Sequence, residues 1–193
     1  NAEFQNFAKS ANVNVSDAYS DQNIYAYQQE IIRNLHKLGL KPSWLEDKTV
    51  LDVGSGRQTL AFLELGAKAV RHHDISEHNV NRLSAHLRET GSSARATSTL
   101  ADLVETQLEE ESIDLVYTHG IVQHMSVPGK GLFNLIRSLK LGGYIWLYFY
   151  RSVTLSHFIT DFCRDLLSES DMDTTYLSLL NVEGCGDKPN RFV

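Results

Sequence analysis

Val50-Leu51-Asp52-Val53-Gly54-Ser55-Gly56 decides the reading of this chain. The segment Thr49 to Val53 is a short β-branched and apolar run, which predicts a buried strand. It ends in a Gly-x-Gly turn and runs straight into a helix predicted over residues 58–65. Glycine permits the tight turn and lets a ligand touch backbone. A helix start there offers unpaired N–H groups and the positive end of a dipole, where a carboxylate or phosphate can sit. Twenty residues after Gly54 comes Asp74, at the end of a second strand predicted over residues 69–74. A carboxylate in that place can accept hydrogen bonds from both hydroxyls of a ribose. Gly-x-Gly alone would also fit a plain structural turn. Together with the strand, the helix and Asp74 it argues for an adenosine-type cofactor lying across the strand ends.

Outward from this stretch, strands and helices alternate. Residues 22–38 form a predicted helix with Ile24, Tyr27, Ile31, Leu35 and Leu38 on one face, closed by Gly39 and Pro42. Ser76 can cap a helix over residues 77–90 that Gly91 stops. Residues 94–97 read as a weak third strand and residues 113–118 as a fourth. A helix over residues 129–139 presents Leu132, Phe133, Ile136 and Leu139. Gly142-Gly143 then turns into a fifth strand over residues 144–150, and a further helix follows with Leu155, Phe158, Ile159, Phe162, Leu166 and Leu167 on one face. Connections too long for hairpins make the sheet parallel, and right-handed crossovers place helices on both faces. The fold class is α/β, a doubly wound, mostly parallel, Rossmann-like sheet. Three regions follow: residues 1–47, a polar arm and helix bearing Tyr19, Tyr25 and Tyr27, which could pack on the sheet edge or fold over the site as a lid; residues 48–151, the cofactor-binding core; and residues 152–193, a C-terminal helix and tail.

The chain has 193 residues, 42% hydrophobic and 22% charged, enough for one domain with a real core. Eighteen basic against 24 acidic side chains give a net charge of −6, which argues against a strongly basic nucleic-acid-binding surface. No apolar run approaches the roughly 20 residues of a membrane helix, and the start lacks a basic-then-apolar leader. Cys163 and Cys185 form no CxxC pair and read as ordinary thiols of a reducing compartment, so the expected location is cytoplasmic. His72 and His73 are adjacent on a strand and point to opposite faces, so no metal is expected. Glu109-Glu110-Glu111 reads as a solvated turn. The chain opens at Asn1 without a methionine and stops at Arg191-Phe192-Val193, which reads as a processed or truncated sequence.

The nicotinamide fingerprint wants a glycine three residues after the second one, where this chain has Thr59. The first motif of class I S-adenosylmethionine-dependent methyltransferases fits better, and Val50 to Gly56 resembles it. Asp74-Ile75-Ser76 resembles their second motif, in which the acid holds the ribose and the next apolar side chain covers the adenine. Ser112 to Val116 resembles their fourth strand. Thr118-His119-Gly120-Ile121-Val122-Gln123-His124 is similar to the loop beside the methionine part of the cofactor. Leu139 to Tyr144 resembles the turn into strand five. The resemblance covers roughly residues 48–150. It implies cofactor contacts from Asp52, Val53, Gly54, Ser55, Gly56, Asp74, Ile75, Ser76, Thr118 and His119, and from Asp102 as the acid after strand three, with Thr99 or Leu100 as alternatives. Gln58 departs from a frequent third glycine, a departure the loop tolerates if position 58 is already helical. The family usually closes with two further antiparallel strands, for which residues 173–193 are too short.

The resemblance implies methyl transfer from S-adenosylmethionine. Asp52 and Asp74 then serve the cofactor, and the candidate bases are His124 and His119, which flank the loop after strand four; backbone contact by His119 and helix capping or packing by His124 are the plainer readings. Tyr144, Trp146 and Tyr148 share one face of strand five and read as core, while Tyr150 and Arg151 at its end could line a pocket. The loop after strand four lacks the Pro-Pro-aromatic signature of exocyclic-amine DNA methyltransferases, and neither cysteine follows a proline as in cytosine-C5 enzymes. A small-molecule methyl acceptor is therefore expected, with a protein or RNA acceptor as the remainder. A non-catalytic cofactor-binding protein and a nicotinamide-dependent oxidoreductase stay open as alternatives. An incomplete sheet would expose an edge strand, and pairing across it is one route to a homodimer.

Overall fold

Ser20 opens the first helix, α1 (Asp21–Lys37), by accepting a hydrogen bond from the N–H of Asn23. Ile24, Ile31 and Leu35 are buried along it and Tyr27 and Leu38 pack beside them, the face that the spacing predicts. The computed structural model describes residues 19–149. The chain divides into two compact units, Asn1–Phe149 and Tyr150–Val193, and all described residues lie in the first. The expected arm before residue 19, the last expected helix, Tyr150, Arg151, both cysteines and the question of closing strands lie outside them.

Five strands follow: β1 (Thr49–Val53), β2 (Ala69–Asp74), β3 (Ala96–Leu100), β4 (Ile113–His119) and β5 (Leu139–Tyr148). Their order is β3-β2-β1-β4-β5, and every pairing is parallel. The chain therefore winds outward from β1 to β3 and returns to lay β4 on the other side of β1. The reversal lies between β1 and β4, the place where open α/β sheets leave a crevice at the carboxyl ends of their strands.

Alternation along the strands sorts the core into two layers. Val50, Val70, Leu115 and Tyr117 face α1, α2 (Thr59–Glu64) and α3 (Glu77–Glu89), packing on Ile31, Leu35, Phe62, Leu83 and Leu87. Leu51, Val53, Ile113 and Val116 face the other way, onto Leu103, Val122 and Leu135, with α4 (Pro128–Ser138) on that side. Helices thus lie on both faces of a parallel Rossmann-like sheet, as expected.

Three local expectations are corrected. Strand β3 begins at Ala96, because residues 92–94 form a 3-10 turn. As an edge strand it is held by backbone pairing to β2 and buries little, so its apolar signal is faint. Strand β5 begins at Leu139 and takes Gly142-Gly143 into itself. Its register on β4 shifts between Ile113 and Leu115, and Gly142 adopts φ 79° in the irregularity. A Cβ on Gly143 would lie 3.0 Å from the Lys140 carbonyl and 3.1 Å from that of Asp114, which explains the second glycine. Finally, α4 keeps part of the expected face and loses the rest: Leu132 and Leu139 pack on the core, but Leu135 and Ser138 are buried while Phe133 and Ile136 are 57% and 51% exposed. Its small residue Gly131 faces Met125, whose sulfur would stand 2.2 Å from an added Cβ, so a close approach rather than the bulkiest side chains sets the inward face. The Glu109–Glu111 run is exposed as expected, with Glu109 paired to Arg71 and Glu110 to Arg137. Leu135→Ala is expected to cost about 2–5 kcal/mol in urea unfolding, whereas Ile136→Ser stays within about 0.5 kcal/mol. Equal losses would restore the phase expected from sequence.

Candidate active site

The glycine loop between β1 and α2 is pinned from below by a histidine. His72 on β2 has no solvent exposure. Its Nε2 contacts the Gly54 carbonyl and its Nδ1 lies 2.7 Å from the Ser98 hydroxyl of β3. A carbonyl only accepts, so Nε2 carries the proton. Burial lowers the pKa of the ring and keeps it neutral, so Nδ1 accepts from Ser98. Gly54 and Gly56 both adopt positive φ, 128° and 73°. A Cβ on Gly56 would stand 2.8 Å from Leu83 and 3.0 Å from His72 Nε2, and one on Gly54 would stand 3.0 Å from Ile121. Both glycines are therefore required by conformation and by space. Gln58 sits at φ −85°, ψ −13°, an ordinary helical conformation in which no third glycine is needed. Helix α2 is only six residues long. The expected dipole is correspondingly slight, and the loop's own N–H groups are what it presents.

Asp74 ends β2 half-buried beside this loop. Its two carboxylate oxygens accept from the Ser76 N–H and from the Asn79 amide, each at 2.8 Å. Burial pushes its pKa up, and these two donors oppose the shift. Each oxygen retains a second lone pair, so the carboxylate is aimed and can still accept a pair of hydroxyls. Ser76 also caps α3 through Asn79, and Ile75 is half-exposed between them. Asp102 follows β3 and accepts from the Val104 N–H through Oδ1; the neighbouring Ala101 N–H donates to the Asp74 carbonyl, which brings the two acidic positions to the same edge. Asp52 is more deeply placed than the other acids. It is buried and accepts from the Thr59 hydroxyl at 2.7 Å. Burial pushes its carboxyl up to about 7 against that hydrogen bond.

At the tip of β4 the two faces separate the expected residues. His119 lies on the α1 side, stacked on Tyr148 with ring centroids 4.3 Å apart, its Nε2 3.6 Å from a Glu30 carboxylate oxygen. Glu30 accepts in turn from the Tyr117 hydroxyl, which accepts from the Asn34 amide at 2.8 Å. Burial, with Glu30 beside it, drives the Tyr117 pKa up, so the phenol stays a donor. His124 closes a 3-10 turn, residues 122–124, whose Val122 packs on the opposite face. Glu30 and Asn34 were not singled out from sequence: they are polar residues within a helix whose apolar face alone signals its orientation. Gln123 has both amide atoms buried without partners among the described residues, and so does the hydroxyl of Thr118. These orphaned atoms, the glycine loop and the oriented Asp74 suit a ligand with ribose hydroxyls and a polar tail.

Sequence reasoning also missed Arg57. It follows the glycine loop directly, a place that reads as solvated turn, yet it is 7% exposed. The anticipated lid tyrosines divide. Tyr25 points outward at 62% exposure, whereas Tyr19 stacks on His86 with centroids 4.6 Å apart and Tyr27 is packed against the core.

Asp52 yields a pH prediction. Its folded pKa of about 7 exceeds the ordinary value of 3.8, so the folded state binds this proton more tightly than the unfolded chain. Its contribution falls as pH rises between these values. Asp52→Asn, which keeps an oxygen for Thr59, should match wild type near pH 4 and exceed it at pH 8 by on the order of a few kcal/mol. Parallel urea midpoints at both pH values would refute this.

A methyltransferase-domain family profile matches residues 51–147, half of the chain. No curated protein matches the sequence. Among solved structures, the chain is similar to MccD protein (13% identity, TM-score 0.56, 74% of this chain and 61% of that one). It is likewise similar to a Methanococcus maripaludis protein described as an S-adenosyl-L-methionine-dependent methyltransferase (17%, 0.54, 75% and 60%). A third is Haemonchus contortus phosphoethanolamine N-methyltransferase 1, in complex with phosphoethanolamine and S-adenosylhomocysteine (24%, 0.53, 75% and 30%). The chain spans less than two thirds of the length of each, and at these identities the likeness shows the fold. With a family profile that runs from β1 to β5 across the glycine loop and Asp74, this chain belongs to the class I S-adenosylmethionine-dependent methyltransferase family.

Proposed function

We propose that this chain is a cytoplasmic enzyme that transfers a methyl group from S-adenosylmethionine to a small-molecule acceptor. The observation that carries the cofactor is Asp74, held by Ser76 and Asn79 with lone pairs to spare at the carboxyl edge of β2. In this reading the backbone of Val53 to Gly56 and the Asp52 region receive the amino-acid end, Ile75 and Asp102 border the base, and Thr118 lies beside the sulfur. When bound, S-adenosylmethionine supplies a methyl group on a positively charged sulfur. The chain's contribution is to orient the acceptor and remove its proton, effects that supply much of such a rate enhancement. His119 suits the second task. Glu30 faces its Nε2, which leaves Nδ1 to take the proton while the carboxylate steadies the imidazolium. His124 is the other candidate base. The net charge of −6 and the absence of a Pro-Pro-aromatic loop support a small acceptor over DNA; the Haemonchus enzyme of the same fold is bound to phosphoethanolamine. Cytoplasmic location rests on reading both cysteines as thiols. Among the described residues no helix is long and apolar enough to cross a membrane.

Calorimetry with S-adenosylhomocysteine, with NADH run beside it, tests the cofactor. Wild type should bind the first, Asp74→Ala at least tenfold more weakly, a loss of about 1.4 kcal/mol or more. Binding of NADH alone would overturn the reading. In an acceptor screen, His119→Ala should lower kcat by about 10²–10⁴, and Glu30→Gln should lower it by less; an unchanged kcat in His119→Ala would transfer the role to His124.

A further inference from the structure

One group of side chains beside the glycine loop is left unused by this reading. Arg57 is 7% exposed, and its Nε has no partner among the described residues. The Tyr19 hydroxyl and the Arg82 Nε are likewise buried and unpartnered. The groups converge from three elements. Arg82, on α3, holds its guanidinium 5.4 Å from the Tyr19 ring centroid. Tyr19 precedes α1, Tyr27 lies on it, and Arg57 leads into α2. Burial raises the pKa of both phenols; Arg82 beside Tyr19 and Arg57 beside Tyr27 oppose it. Nearby carboxylates already have donors: Asp52 has Thr59, Asp74 has Ser76 and Asn79, and Glu30 has Tyr117. Neither arginine forms an ion pair among the described residues; Arg82 lies against Tyr19 and donates to the Asn79 amide oxygen at 3.4 Å.

Arg57 is buried and Arg82 half-buried, and neither has a carboxylate partner among the described residues, so both forfeit solvation without an ion pair to offset it. A bound oxyanion removes both penalties. Guanidinium forks match carboxylate and phosphate geometry, and phenol hydroxyls can complete the donor set. We infer that Arg57 and Arg82, with the hydroxyls of Tyr19 and Tyr27, form a receptor for a carboxylate or phosphate group of a ligand in the site. The inference rests on the proposed function, since that ligand is the one the glycine loop and Asp74 hold or the acceptor beside it. The anion has two sources with one chemistry: the amino-acid end of the cofactor, or an acidic group on the methyl acceptor.

The test uses S-adenosylhomocysteine and 5′-methylthioadenosine, which keeps the nucleoside and sulfur but lacks the amino-acid end. Both are titrated into wild type, Arg57→Lys and Arg57→Met, with thermal melts as a check on folding. Inorganic phosphate is titrated into each protein, free and loaded with S-adenosylhomocysteine, while the Nε–H resonance of Arg57 is followed in arginine-labelled wild type. If the anion is the cofactor's, Arg57→Met weakens S-adenosylhomocysteine at least tenfold, Arg57→Lys less, and methylthioadenosine stays unchanged. If it is the acceptor's, both nucleosides bind all three proteins equally and phosphate still moves the Arg57 resonance of loaded wild type. Equal nucleoside binding with no response to phosphate overturns the inference and leaves the proposed function standing. Failure of wild type to bind either nucleoside overturns the proposed function instead, and phosphate on the free protein then decides this inference by itself: a moved resonance sustains it, an unmoved one ends it.

Discussion

The buried ring of His72 holds together the parts of this molecule that matter for its chemistry. Through one nitrogen it grips the Gly54 carbonyl and through the other the Ser98 hydroxyl, so β3, β2 and the loop leaving β1 are tied at one point. The ring occupies the space that a side chain at position 56 would need. Gly56, Leu83 of α3 and His72 therefore constrain one another, and the loop has one shape because all three are present. A buried imidazole without partners would be costly; with both nitrogens engaged it is neutral and rigid. This interlock also sets the distance between the glycine loop and Asp74, which stands two residues beyond His72 on the same strand.

Helix α1 is the second organising element, and it acts at long sequence range. Its apolar face belongs to the core, but Glu30 and Asn34 extend from it to the tip of β4, where Tyr117 links them. The same helix brings Tyr27 over Arg57. One packed helix thus converts a histidine and an arginine, each ordinary in its own segment, into a carboxylate-facing imidazole and a buried cation. Arg57 and Arg82 lie beside Tyr27 and Tyr19, and the Asn79 side chain joins Arg82 to Asp74. A ligand that carries both hydroxyls and an anion matches that arrangement.

Much of the fold is local in origin. Short runs of five to seven residues, mostly apolar in β1 and β4 and mixed in β2, each ended by glycine or an acid and followed by a helix, specify these strands and with them the parallel winding. The glycine loop and Asp74 were legible for the same reason: their backbone conformation and spacing are written in consecutive residues. The phase of α4 was not, because Gly131 and Ser138 turn inward for closeness while Phe133 and Ile136 turn outward, and composition ranks these residues the other way. The start of β5 was obscured by a pair of glycines that serve a register shift inside the strand rather than a turn before it.

The sequence by itself determined the order of strands and helices, the glycine loop after β1 and the acid at the end of β2, since these depend on residues within about twenty positions of one another. Only the tertiary structure decided which charges are buried and what faces them. That Asp52 holds its proton toward neutral pH, that His119 meets Glu30 and that Arg57 meets no carboxylate among the described residues follow from the packing of α1 and α3 over the loop. Desolvation depends on what lies above a group in space, and no pattern along the chain carries that.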